Sequence, residues 1–145
     1  MSETKAPQNL PSGIAYGTPH VDSETRAYWE GAGRGELVLQ RCRDCAVIQH
    51  RPRGLCATCL SSSIENFVAS GRGEVYTFSI VRQNQMPGFR DHLPYVVAYV
   101  ELEEGPQILT HVVGCDPENV AIGMAVQVDF VSTGEDRGVP RFIPS

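Results

Sequence analysis

Cys42-Arg43-Asp44-Cys45 and Cys56-Ala57-Thr58-Cys59 form two CxxC pairs separated by the ten residues Ala46 to Leu55. Each turn can present two sulfurs to one ion, and the intervening hairpin brings the pairs together. A tetrahedral Zn²⁺ takes four such ligands at about 2.3 Å. The resulting site is closed: without an open coordination position, zinc neither activates water nor polarises a carbonyl. Its expected contribution is to folding, because structural zinc supplies about 10–16 kcal/mol of apparent binding energy. A redox dithiol or a rubredoxin-type iron site uses the same spacing, but zinc is the preferred reading. His50 stands between the pairs and reads as a turn or surface residue, since four cysteines already complete the tetrahedron.

Arg34, Arg41, Arg43, Arg51 and Arg53 surround the cysteines against only Glu36 and Asp44. They either offset the net negative charge of a zinc–thiolate centre or face anionic groups such as the phosphates of a nucleotide-like ligand. Nucleophilic catalysis finds little support. Cys115 follows His111 by four residues, about 13 Å along a strand, too far for a nucleophile–base hydrogen bond. Cys115 therefore reads as a structural thiol. His92 adjoins Asp91, but adjacent side chains rarely face each other. Lys5, the one lysine, lies in a Pro-containing N-terminal stretch, so Schiff-base chemistry has no buried amine to use. No residue is assigned a catalytic role.

The elements that position these groups are mostly short. Residues 1–21 read as an extended arm, and 22–36 hold a helix capped by Asp22 or Ser23, with Glu24 in its first turn. Its narrow apolar face is expected to pack on a partner or on the ribbon. Residues 37–63 form the cysteine-bearing ribbon, ending at Ser61-Ser62-Ser63. Residues 64–145 are β-rich, with runs at Ile64–Ala69, Glu74–Arg82, Tyr95–Leu102, Gln107–Val113, Val126–Val131 and a short Arg141–Ile143. Period-two alternation in Val96, Ala98, Val100 and Leu102 marks a half-buried strand. Asp116-Pro117 caps one helical turn that Gly123 closes. About five strands with a small helix before the last main one suit an OB-fold barrel, with a small β-sandwich as the alternative. Tyr76, Phe78 and Ile80 share a face and read as barrel filling. The loop Met86 to Pro94, with exposed-looking Phe89 and Leu93, suggests a contact surface.

With 145 residues and a formal charge of −5, the chain is about one domain and repels a phosphate backbone. Nucleic-acid binding is disfavoured. No segment approaches the roughly 20 apolar residues needed to span a bilayer, and the start lacks a signal-peptide core. The chain therefore reads as cytoplasmic, a compartment where disulfides are disfavoured and five cysteines call for another explanation.

Taken in order, Tyr28-Trp29-Glu30, Leu37–Arg41, the two CxxC pairs with Pro52-Arg53, Gly71-Arg72-Gly73, Pro94 before a strand ending Glu101-Leu102, and Asp116-Pro117 before Gly123 and Val126 resemble one family. It is the acyl-CoA-associated proteins that combine a rubredoxin-like zinc ribbon with an OB-fold. Ala46 and Leu60 stand where that family usually places Gly, a position where Gly relieves the strain of a positive φ. The resemblance implies a mainly β fold of N-terminal helix, zinc ribbon and C-terminal five-stranded OB barrel. It implies structural zinc on Cys42, Cys45, Cys56 and Cys59, and an accessory role beside a thiolase-like or lipid-transfer-type enzyme, or a hot-dog-fold hydratase. It further implies that Arg53, Arg72, Phe89 and Arg90 contact a CoA thioester. A nucleic-acid-binding ribbon and OB module, and a stand-alone acyl-CoA-binding protein, are the alternatives.

Overall fold

A computed structural model describes residues 16, 17, 19–134 and 137–145. The arm expected over 1–21 falls, for residues 1–15 and 18, outside the described residues; residues 16, 17 and 19–21 form neither helix nor strand.

Helix α1 spans Arg26–Gly33 and buries Tyr28, Gly31 and Ala32, three positions of one helical face. Asp22 acts one turn earlier than a cap. Its carboxylate accepts from the amides of Glu24 and Thr25 and from the Thr25 hydroxyl, an Asx turn that delivers the chain to Thr25, which has no side-chain cap of its own. Glu24 reaches across to accept from the Gly54 amide at 3.0 Å.

The ribbon is a three-stranded antiparallel sheet in the order β2-β1-β3, formed by β1 (Val38–Cys42), β2 (Ile48–Gln49) and β3 (Ile64–Val68). Here the sequence reading needs correction: Ile64–Ala69, grouped with the barrel strands, pairs residue for residue with β1 from Val38↔Val68 to Cys42↔Ile64.

The barrel closes through β4 (Arg72–Val81), β5 (Tyr95–Leu102), β6 (Gln107–Val112), β7 (Ala125–Gly134) and β8 (Arg137–Pro144) in the order β4-β5-β6-β8-β7. This is the expected five-stranded OB architecture in a mainly β chain with one N-terminal helix. Its fifth strand is an eight-residue β8, longer than the Arg141–Ile143 expected. β8 pairs with β7 along nearly its whole length but meets β6 in one parallel bridge, Val112↔Phe142. Alternation sets the inside: Val96, Ala98, Val100 and Leu102 of β5 are buried beside Val75, Ile108, Val126 and Phe142. Tyr76 departs from barrel filling. A bulge between Val75 and Thr77 adds a residue to β4, so Tyr76 emerges on the surface while Phe78 and Ile80 pack against the core. Asp116 caps the Pro117–Asn119 turn, accepting from Glu118 N at 2.9 Å.

Tyr28, Leu37 and Leu39 belong to the same buried cluster as the barrel interior, so helix, ribbon and barrel share one core. α1 sits on β8 and β1, partly on the ribbon as expected and partly on the barrel. Both contacts depend on absent side chains: a Cβ at Gly31 would lie 2.4 Å from Val38 Cγ2, and one at Gly138 would lie 2.8 Å from the Ala32 carbonyl oxygen. Among the described residues no helix is long and apolar enough to cross a membrane.

Candidate metal centre and the arginines around it

The turn after β1 supplies Cys42 and Cys45, and the loop after β2 supplies Cys56 and Cys59. Their four Sγ atoms lie within 4.8 Å of one another; the Cys42–Cys59 and Cys45–Cys56 separations are both 3.6 Å. A tetrahedron with Zn–S bonds of about 2.3 Å has edges of about 3.8 Å, so the donor set fits zinc. Each pair is a knuckle. The amides of Asp44 and Cys45 donate to Cys42 Sγ, and those of Thr58 and Cys59 donate to Cys56 Sγ, all at 3.3–3.4 Å. These donors favour thiolate over thiol: the Cys59 amide leads in drawing Cys56 down to about 6, and the Cys45 amide leads in lowering Cys42. Ala46 and Leu60, where the resemblance expects Gly, take φ of 68° and 66°. The backbone turn is kept and the missing glycines are tolerated as strain. Zinc held by these four sulfurs would crosslink the loop ends of a sheet with little core of its own.

His50, expected at a turn or at the surface, lies in the bend after β2 and is half-buried. It packs against Tyr28 with ring centroids 5.2 Å apart, and burial, with Arg51 adding to it, pulls its pKa down to about 4.

The arginines separate into two groups. Arg34 pairs with Glu36 at 3.0 Å, and Arg41 and Arg43 converge on Glu65 at 3.4 and 3.2 Å, so these three are offset by carboxylates. Arg51 and Arg53 are exposed and have no carboxylate partner among the described residues. The backbone of Arg53 is nonetheless fixed. The buried Gln40 amide accepts from Arg53 N at 2.9 Å and donates to Arg53 O at 3.0 Å. With Gly54 held by Glu24, the loop presents its guanidinium from a rigid base. Gln40 was not singled out in sequence; its signal is a polar residue following Leu37-Val38-Leu39 on a buried strand.

Arg72 begins β4, where Glu103 grips it through two contacts at 2.9 and 3.1 Å. Arg90 lies beyond the other end of β4, exposed, in the short 3₁₀ turn Arg90–His92. Arg72 and Arg90 are thus separated by a ten-residue strand, about 30 Å, and do not form one site. Phe89 and Leu93, expected to be exposed, are half-buried; Phe89 packs on Tyr95 at 5.6 Å. Tyr95 also meets His111 at 5.0 Å, and Tyr16 hydrogen-bonds His111 Nδ1 at 2.5 Å. This aromatic cluster was invisible in sequence because Tyr16 and His111 lie 95 positions apart. Cys115 is half-buried against the core, its thiol pushed up by burial and by Asp116, the opposite of an activated nucleophile.

Comparison with known proteins follows this division. Residues 29–65 match the family model described as ChsH2, rubredoxin-like zinc ribbon domain, and residues 68–131 match ChsH2, C-terminal OB-fold domain. A DUF35 domain-containing scaffold protein of Methanocaldococcus jannaschii is 39% identical over 101 residues, 69% of this chain and 71% of that protein. The chain belongs to the DUF35 family. A solved structure titled Ltp2-ChsH2(DUF35) aldolase superposes with a TM-score of 0.78 at 34% identity, covering 87% of this chain and 98% of that one. A protein of Thermomonospora curvata named Probable enoyl-CoA hydratase alpha subunit is 34% identical over 127 residues, 88% of this chain. The chain spans 39% of that relative's length.

Proposed function

We propose that this DUF35 chain is a non-catalytic accessory subunit of an acyl-CoA enzyme of thiolase or retro-aldolase type, acting in the cytoplasm, and that it lends part of the surface that receives the CoA thioester. The observation that carries this reading is the closed four-cysteine centre. Its donor set leaves a bound zinc no position for substrate, so the metal's chemistry is to crosslink the ribbon. The relatives' names, which speak of a scaffold, an alpha subunit and an Ltp2–ChsH2 aldolase, support a role beside a second polypeptide that carries the reaction. A hydratase partner is the other form of the same reading.

For the CoA contact, unpaired and rigidly based Arg53, with Arg51 beside it, is the best-placed hydrogen-bond donor to an anion, and Arg90 is a second exposed cation. Arg72 is poorly placed, since a phosphate must first displace Glu103. Co-expression with thiolase-fold acyl-CoA enzymes of the same genome, followed by size-exclusion chromatography and an acyl-CoA assay, tests the proposal. Co-elution and activity dependent on this chain are expected. Separate elution with unchanged enzyme activity, or turnover by this chain alone, would overturn it.

A further inference from the structure

We infer that the outer face of β4, β5 and β6 is the surface on which this chain binds its enzyme subunit, an inference that rests on the accessory-subunit reading. The strand register defines the face. Tyr99 stands directly between Thr77 of β4 and Leu109 of β6, and the bulge sets Tyr76 beside Thr77. Tyr76, Tyr99 and Leu109 are 53%, 43% and 52% exposed, although the inward positions Val75, Ala98, Val100 and Ile108 already fill the barrel. The barrel gains little from placing these outward side chains in water.

On one side of this apolar row comes the row Ser79–Val97–His111. Tyr16, Val97, Leu109, His111, Val139 and Pro140 there line a hollow of about 250 Å³, where β6 and β8 diverge from their single bridge. It is large enough for an aliphatic side chain. On the other side, Glu74 stands directly opposite Glu101, both exposed, with Gln107 next in line. Like charges facing each other across strands are destabilising, and a cation arriving from outside relieves them.

These features choose the occupant. Single-stranded nucleic acid would stack on the tyrosines but set phosphates against the glutamates. In a symmetric pairing of this face a second copy, itself of charge −5, sets the same two carboxylates against their counterparts, and Arg72 at the margin of the face is already held by Glu103. What fits is an enzyme surface with an apolar ridge, one aliphatic side chain for the hollow, and Arg or Lys facing Glu74 and Glu101.

The test titrates the acyl-CoA enzyme that co-elutes with this chain, or failing that the thiolase-fold enzymes of the same genome, with zinc-loaded wild type, a Tyr99→Ser/Leu109→Ser pair, Tyr99→Phe, and Glu74→Lys/Glu101→Lys. Zinc content and thermal unfolding serve as controls for folding. The serine pair weakens association about ten-fold or more while Tyr99→Phe does not. Wild-type binding weakens with added salt, and the lysine pair removes that dependence and lowers affinity about ten-fold at low ionic strength. A complex as tight with the folded serine and lysine pairs as with wild type overturns this surface and leaves the accessory role standing. Absence of a wild-type complex overturns both. Self-association of the free chain that the serine pair abolishes, or salt-sensitive oligo-dT binding lost in that pair, reassigns the face to a second copy or to nucleic acid and refutes the inference.

Discussion

Leu60 holds a left-handed backbone with its side chain 71% exposed, so it bears the strain of that conformation and recovers little from burial. Leu60→Gly therefore raises the stability of the zinc-loaded protein by about 0.5–1 kcal/mol, the left-handed penalty less the extra freedom glycine loses on folding. An unchanged or lower denaturant midpoint would contradict this. His111 is held neutral: burial first, and Arg141 second, lower its pKa from the usual value, in a cage of Tyr16, Tyr95 and Phe89. In the unfolded chain its imidazole protonates near about pH 6.5. Below that pH the unfolded state binds more protons, so stability is full above it and is lost as pH falls toward the lower folded value. His111→Gln removes this component. Urea midpoints of variant and wild type should diverge on acidification, wild type losing more; parallel curves would refute the neutral-His account. The cysteines were legible in sequence because a knuckle is local, whereas Gln40 clamping Arg53 spans 13 positions and Tyr16 on His111 spans 95.

Among the elements, the ribbon and the barrel gain stability differently. β2 is two residues long and half-buried, so it depends on the crosslinked loops on either side of it. Chelating the metal should expose the amides of Ile48 and Gln49, and that of Cys42 bonded to Val47, to hydrogen exchange, while β5 and β6 stay protected. Equal loss of protection in both sheets would refute separate stabilisation. Phe142 is fully buried where β8 bridges β6, and Phe142→Ala should cost about 3–5 kcal/mol by denaturant titration. The limits of the sequence reading have physical causes at this scale. Gly138 and Pro140 break the pattern expected of a strand, yet β8 runs through both. β7 supplies most of its pairing, and the Pro140 carbonyl still accepts from the Thr110 hydroxyl at 3.3 Å. Tyr76 faces water against the alternation because an extra residue at a bulge shifts facing without leaving a mark in the period-two pattern. β3 is legible as a strand, but its sheet is set by register with β1, which spacing does not reveal.

For the molecule as a whole, the pairing state of its cations separates sites that sequence lists together. In the assembled complex, Arg53→Glu should weaken acyl-CoA binding roughly ten- to a hundred-fold, the scale of a lost charged hydrogen bond with repulsion added, while Arg72→Ala changes it little. The reverse order, read from KM or direct titration, would place the thioester at the far margin of the barrel. The shared core also bears on how the chain is made. Because α1 rests on β8, an early segment leaves the ribosome long before its seat exists, and until β8 arrives Tyr28 and Trp29 have only the ribbon for shelter. The knuckles can trap their ion during that interval, so metallation can precede barrel closure during synthesis. Starving translating cells of zinc should then harm nascent chains far more than stripping the ion from finished ones.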